Sequence, residues 1–452
     1  MSPLASRSRR RWAAATFSVA GDARRAHAHA ILAETHAVGH LIIAVVAATR
    51  VTSTFDILVS GPFVRTMLTN FFFFGSLNGF VLLPLYIHRL GGDEADIGLV
   101  QGMYSAAGIL CQPLVGAWID RIGRRLFMVL GVTVLTASSA AFVVTTSIPA
   151  LGVLRAVQGV GFSAFFVANY IHVVELVPYE RRGWALGIYG LSGLLSTSLA
   201  PLAGEFLVRH VGFAWFFVWT TLLAGAALAL VFRMRDVRPP SLTGGPDLDA
   251  VRRGIEELLH LHMGLALCFG LGTGTIFTFL PTFAERLGVR GLGLFYTAYA
   301  GAAMLVRVAG GELIDTLGRR AVIIPSMFIQ AGAACMLALV AIFVAPAGSI
   351  PILPFLFFAG FMAGGAHGFL YPALSALLMD VTPERRRGSA VGTFSSVVLV
   401  GNALGAMAFG YVAHGLGYGV MWSALALLLL SGFFASIRLR VGYSPRRLEV
   451  TS

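Results

Sequence analysis

A chain of 452 residues with 57% hydrophobic and only 12% charged side chains has too little polar surface to clothe a water-soluble body of its size, so it belongs in a bilayer. Its formal charge of +12 would suit a nucleic-acid partner, but all 33 basic residues are arginine and their placement excludes that reading. A membrane-spanning helix needs about 20 mostly apolar residues, because each advances about 1.5 Å through a hydrocarbon core roughly 30 Å thick. The chain supplies twelve such runs.

Residues 1–62 do not match the rest. They are rich in arginine and alanine, and their one apolar run, Ala37 to Ala48, is too short to span. A secretory signal fits poorly, since the basic cluster at Arg7 to Arg11 lies far from that run; a transit-peptide-like segment is a second reading. The expectation adopted is a disordered tail or a start assigned too far upstream, with Met67 at the start of the first span.

Spans 1 to 6 are expected near 66–88, 96–119, 126–147, 150–177, 184–208 and 212–232, making an N-terminal bundle over 63–232. Residues 233–262 form a polar, proline-broken linker. Within it, Leu248, Val251, Ile255, Leu258 and Leu259 recur at helical spacing, as in an amphipathic helix lying along the membrane face or an ordinary solvated linker helix. Spans 7 to 12 are expected near 263–284, 293–314, 321–345, 351–379, 388–411 and 417–437, a C-terminal bundle over 263–440 followed by a tail over 441–452. Cys111, Cys268 and Cys335 fall far apart in apolar runs without metal-ligand spacing and read as small core residues.

With the N-terminal end of span 1 inside, the inner loops and C-terminal tail carry 19 arginines, whereas the outer loops carry Arg89, Arg209, Arg286 and Arg290. That asymmetry orients the chain with both ends cytoplasmic. Arginine without lysine is codon usage rather than protein physics, and points to a bacterial inner membrane.

The chain is duplicated. GAWIDRIGRR, Gly116 to Arg125, follows span 2, and GELIDTLGRR, Gly311 to Arg320, follows span 8 at an offset of 195. PLYIHRLG from Pro84 matches PTFAERLG from Pro281 at an offset of 197, and ELVPYERRG from Glu175 matches DVTPERRRG from Asp380 at 205. Three matches in one order are the mark of two six-helix bundles in parallel repeat.

GAWIDRIGRR resembles the GxxxDRxGRR signature that members of the major facilitator superfamily carry between helices 2 and 3, and the resemblance covers roughly 63–440. It implies an all-α membrane protein of twelve spanning helices that works by alternating access. Gly123 suits a tight turn, and Arg121, Arg124 and Arg125 sit where headgroups or carboxylates pair with them. Asp120 ends a helix whose terminus is itself partly negative and needs a partner elsewhere. In the family the matching aspartate locks an inner gate against helix 11. The expected gate comprises Gly116, Asp120, Arg121, Gly123, Arg124, Arg125, Glu175, Arg181, Asp315, Arg319, Asp380 and Arg386; topogenic arginines and solvated loop charges are the bland alternative.

Arg155 lies inside span 4, where an arginine costs about 2.5 to 3.5 kcal/mol unless it faces a cavity or a partner. RAVQGVGF resembles the family's RxxQGxG motif, whose arginine is associated with proton coupling. Glu205 is a candidate partner, because each is 25 residues from Glu180 in the turn joining spans 4 and 5. A static pair or snorkelling to the surface is the other reading. APLAGE, Ala200 to Glu205, keeps Pro201 and Gly204 of the antiporter branch's GPxxGG and departs at Ala200 and Glu205.

The resemblance assigns the cavity to helices 1, 4, 7 and 10. Their mid-depth polar residues are Asn78, Asn169, Thr275 and His367, among aromatics including Phe71 to Phe74, Phe165, Tyr170, Phe277 and Tyr371. Such a pocket suits an amphipathic organic molecule rather than a sugar. His367, in GGAHGFLYP, carries an imidazole that exchanges protons near neutral pH, or else hydrogen-bonds another helix.

The leading expectation is proton-coupled efflux of a small organic solute by a monomer that needs no cofactor or metal. The alternatives are a metabolite importer or uniporter in which Arg155 binds an anionic group, and a membrane sensor or scaffold. The chain lacks a GxxxxGK[ST] string and shows no paired catalytic carboxylates or nucleophile motif, so it reads as neither a P-loop ATPase nor an enzyme.

Overall fold

A computed structural model describes residues 60–177, 182–234, 261–348, 350–381 and 387–439. Within those ranges the side chains of 113, 114, 116, 117, 120, 121, 182–184, 261, 311, 312, 315, 379–381 and 387–393 are not described. The readings for residues 1–59, the linker helix, Arg181, Arg386 and the tail beyond 439 therefore lie outside the described residues.

Every described element is helical. Span 1 is α1 (Gly61–Gly79), a 3-10 turn at Phe80–Leu82 and α2 (Leu83–Arg89). Spans 2 to 6 are α3 (Glu94–Ile122), α4 (Arg124–Phe142), α5 (Ile148–Glu175), α6 (Arg182–His210) and α7 (Phe213–Phe232). Span 7 is α8 (Leu261–Arg286), and span 8 is α9 (Gly293–Ala309) with α10 (Gly311–Thr316). Span 9 is α11 (Arg319–Leu339), continued by a π-helical stretch, and span 10 is α12 (Leu353–Val381). Spans 11 and 12 run together as α13 (Arg387–Ile437), broken at the non-helical Gly417.

Among the described residues nine segments, not twelve, are both long and apolar enough to cross a membrane. The last of them, Phe394–Ile437, contains the Gly417 break and so holds two rods. Spans 2 and 8 fall outside the nine. Span 2 carries Glu94, Asp96, Gln101 and Gln112 along its length, and span 8 is split at Gly310 into pieces of 17 and 6 residues.

The duplication is written into the backbone. Gly123 (φ 106°, ψ 157°) joins α3 to α4, and Gly318 (φ 87°, ψ 154°) joins α10 to α11 at the same offset of 195. That conformation is closed to residues with a Cβ, which is why both copies keep glycine between the aspartate and the arginine pair. Gly91 and Gly288 share positive φ at the 197 offset, and Gly212 and Gly417 at the 205 offset. Helix starts follow the same chemistry: at the head of α3, Asp93 Oδ1 accepts from the Asp96 N–H (2.9 Å) while Asp96 Oδ2 accepts from the Asp93 N–H (3.2 Å).

Packing repeats as well. In the first half α3 and α4 pack on α5, and α7 packs on α1 and α4; in the second, α9 and α11 pack on α12, and α13 on α8 and α11. Glycine permits the closest crossings, as lipid-embedded helices require. A Cβ on Gly159 of α5 would strike the Tyr104 carbonyl of α3, and one on Gly364 of α12 would strike the Tyr299 carbonyl of α9, the same contact one repeat on. The halves meet where α3 packs on α13 and α6 packs on α9.

Candidate functional site

A cavity of about 860 Å³ lies between the halves, lined by residues of α1, α3, α5, α6, α8, α9, α12 and α13. Of the residues expected there, Asn78, Tyr170, Phe277, His367 and Tyr371 do line it, together with Arg155. Asn169 and Thr275 do not. Asn169 is wholly buried and donates to Asn70 Oδ1 (3.3 Å), and the Thr275 hydroxyl donates to its own helix at the Leu271 carbonyl (2.8 Å). Of the Phe71 to Phe74 run only Phe74 reaches the cavity; Phe73 stacks on Phe165 with ring centroids 3.9 Å apart in the core of the first half.

Polar clasps tie the first helix of each half to its fifth. Asn78 Nδ2 donates to Thr197 Oγ1 (3.0 Å) and Ser196 Oγ (3.2 Å), and Asn70 Nδ2 donates to Ser192 Oγ (2.7 Å). In the second half Thr273 donates to Asn402 Oδ1 (2.8 Å). Asn402 lies 205 residues after Thr197, so the clasp obeys the repeat.

Arg155 does not pair with Glu205. Its Nη1 donates to Gln158 Oε1 (2.8 Å), one turn along α5, and its guanidinium lies 4.5 Å from the Tyr104 ring centre and 5.7 Å from that of Phe80. An amide one turn away and two π faces compensate the charge without a carboxylate. Glu205 is turned the other way. Its two carboxylate oxygens accept from the backbone N–H of Gly291 (2.9 Å) and Gly293 (2.7 Å) at the head of α9, and it pairs with Arg209 at 2.8 Å. A helix N-terminus presents unbonded N–H groups and partial positive charge, which an anionic side chain satisfies.

Glu205 is one of several ties across the halves at the arginine-poor end. Arg286 of α8 pairs with Glu94 of α3 at 2.9 Å, His414 Nδ1 approaches Asp93 Oδ2 at 3.1 Å, and Arg209 donates to the Val289 carbonyl (3.2 Å). Backbones also touch there: a Cβ on Gly410 would sit 2.7 Å from the Glu94 carbonyl oxygen. These contacts join the two halves at this end. Toward the other end the cavity lining runs as far as Ile314, Arg319 and Ser375.

At the arginine-rich end, Arg124 pairs with Glu175 at 2.7 Å, linking α4 to α5, with the arginine side chain 6% exposed. The second arginine of each repeated pair caps the last helix of its own half: Arg125 donates to the Phe232 carbonyl (2.9 Å) and Arg320 to the Ile437 carbonyl (2.8 Å). Cations suit exposed helix C-terminal carbonyls. Arg319 donates to the Ile314 carbonyl (2.8 Å) and lines the cavity. The backbone of Gly116, Asp120, Arg121, Asp315 and Asp380 is helical, while their side-chain positions, like Arg181 and Arg386 altogether, are outside the described residues.

A family model of the Major Facilitator Superfamily matches residues 66–353 and again 263–451. The chain belongs to the major facilitator superfamily. The second match begins at the head of span 7, where the sequence repeat begins again. The superfamily chain is 23% identical over 385 residues to the staphylopine export protein of Staphylococcus aureus, covering 82% of this chain and 94% of that one. It is 25% identical over 365 residues to the multidrug resistance protein MdtG of Salmonella choleraesuis, covering 77% and 87%. Among solved structures it resembles the nucleoside transporter NupG (TM-score 0.70, 14% identity, 83% of this chain and 99% of that one). It also resembles the human organic anion transporter MFSD10 (TM-score 0.60, 19% identity, 83% and 100%).

Sequence reasoning missed Arg307, Asn402 and Thr273, all of which line the cavity of this superfamily member. Arg307 was within reach. It is an arginine inside span 8, which is the signal that singled out Arg155. His367 is where its sequence context placed it, surrounded by rings: Phe269 at 5.2 Å, Tyr299 at 5.5 Å and Tyr371 at 6.3 Å between centroids. Its Nδ1 makes no hydrogen bond among the described residues.

Proposed function

We propose that this superfamily member is a secondary transporter that exports a small, partly aromatic organic solute by alternating access, with proton movement as the coupled step. The observation that carries the reading is the central cavity, about 860 Å³, with ties between the halves at the arginine-poor end. Those ties are polar and point-like, so they can be exchanged for others as the halves rock. The arginine count puts that end outside. The printed names of two relatives, a staphylopine exporter and a multidrug resistance protein, favour export over uptake.

His367 is the residue proposed to carry the proton. It lines the cavity, and an imidazole among aromatic rings binds or loses a proton according to what occupies the space beside it. Glu205 is proposed to hold the outer closure, from which protonation would release it. The test is a proteoliposome assay with a pH-sensitive dye inside, challenged with organic anions, cations and neutral solutes. Solute-triggered proton movement in the wild type that is lost in His367→Gln supports the reading. Solute uptake without proton movement removes the proton role and leaves a uniporter.

A further inference from the structure

The described residues lining the cavity include Arg155, Arg307, Arg319 and His367, and none of them is aspartate or glutamate. A cavity meant for a lipophilic cation would place a carboxylate on its wall. The described part of this wall carries arginine instead.

Arg155 and Arg307, the two arginines inside spans, are not equivalent. Arg155 is compensated by Gln158, Tyr104 and Phe80. Arg307 makes no hydrogen bond or ion pair among the described residues, whereas the Nε of both arginines is buried without a partner. Arg307 lies fourteen residues from the head of α9, about 21 Å at 1.5 Å per residue, in the last turn of that helix before the break at Gly310. Its guanidinium presses on Gly190 of α6, where a Cβ would collide with Nη1. A methyl there would oblige the head group to shift.

We infer that Arg307 is the anchor for the anionic group of the transported solute, so that the substrate class is an organic anion, a carboxylate or phosphate on an aromatic or apolar body. A guanidinium presents paired N–H donors at the spacing of a carboxylate or phosphate edge, and in a low-dielectric cavity that pairing is strong. The body of the solute has the rings of Phe269, Phe277, Tyr299, Tyr371, Phe166 and Tyr170 to lie against. His367, on the same wall, adds a donor when protonated. The loaded anion and the coupling proton would then share one site, which explains why an unpaired cation stands beside a histidine. This inference rests on the proposed transport reading for its meaning, and on the cavity alone for the binding it predicts.

The experiment measures binding and transport separately. Matched triplets of a carboxylate, its neutral amide and the corresponding ammonium ion are tested on benzene, naphthalene and indole bodies. Binding is read as ligand-induced thermal stabilisation and by competition on purified protein, and transport in proteoliposomes. The expected result is at least one carboxylate that binds about tenfold or more tightly than its amide, with the ammonium ion weakest. In Arg307→Gln the carboxylate falls to within about twofold of the amide, Arg307→Lys retains part of the preference, and Arg155→Gln retains most of it. Gly190→Ala, which displaces the guanidinium, weakens the carboxylate and not the amide. Amide or ammonium binding as tight as carboxylate on every body, or a preference unchanged in Arg307→Gln, would overturn the inference. Transport of cations or neutral solutes without carboxylate binding would leave the transporter reading standing and this one lost. Carboxylate binding that depends on Arg307, without movement of any solute, would do the opposite.

Discussion

Glu205 near the end of α6 accepts a hydrogen bond from the backbone N–H of Gly293, 2.7 Å away, at the first residue of α9. With the Gly291 N–H it makes a two-point closure that fastens one half to the other, braced by Arg209 one turn along its own helix. Replacing it with alanine removes the anion and leaves the head of α9 uncapped. Hydrogen bonds to charged groups contribute about 1.5 to 3 kcal/mol each, so Glu205→Ala should shift the balance toward the state open at the arginine-poor end by about 2 kcal/mol or more. The check is labelling of a cysteine placed at Thr278 on the cavity wall, in a chain whose three native cysteines are replaced, by an impermeant maleimide from that side. Labelling should rise several-fold.

The buried pair Arg124–Glu175 predicts strong non-additivity. Removing either partner breaks the same 2.7 Å ion pair, so removing both loses that contact only once. Arg124→Gln and Glu175→Gln should each lower the thermal midpoint markedly, and the double variant should lie well above the sum of the two. Equal, additive losses would show that the pair is not the interaction that matters at that end.

Close helix crossings should fail where glycine is replaced and not elsewhere. Gly159→Ala and Gly364→Ala push a methyl into the carbonyls of Tyr104 and Tyr299, and overpacking of this kind costs about 1 to 3 kcal/mol. Gly225→Ala, with nothing within 4 Å of the added methyl, should be neutral or slightly stabilising. Thermal midpoints of the three purified variants decide it.

The turn glycines should behave as a pair too. Gly123→Ala and Gly318→Ala force a Cβ into positive φ, at about 1 to 3 kcal/mol of strain each, and both should slow transport by disturbing the loops at the arginine-rich end. A variant as stable and active as the wild type would mean that the turn relaxes freely.

How far the sequence could be read depended on what kind of information a residue's position carries. Gly123 and Gly318 were legible because a glycine repeated between an aspartate and an arginine pair marks a backbone need, and both adopt positive φ. The cavity was legible in outline, since Asn78, His367 and Tyr371 line it. Facing was harder. Thr275 was expected in the cavity and Thr273 occupies it; two residues on a helix turn a side chain by about 200°, and a uniformly apolar span gives no stripe from which to fix the angle. The Arg155–Glu205 pairing failed for the same reason, because equal distance from a turn fixes depth and says nothing of direction around the axis. Twelve spans were expected where, among the described residues, nine segments meet the length and hydropathy test, since spans 11 and 12 run together and polar residues on α3 and the break at Gly310 dilute spans 2 and 8.

The most direct test of alternating access through this cavity is to hold its closed end shut. Glu94 and Arg286 pair across the halves at 2.9 Å, so cysteines at these two positions, in a chain otherwise free of cysteine, can be bridged by a short bifunctional thiol reagent. The bridge should abolish solute transport in proteoliposomes while leaving solute binding from the opposite side intact, and cleaving it with a reductant should restore the rate. Full transport with the bridge demonstrably in place would contradict the account, because a solute that crosses while that end stays fastened takes some other route.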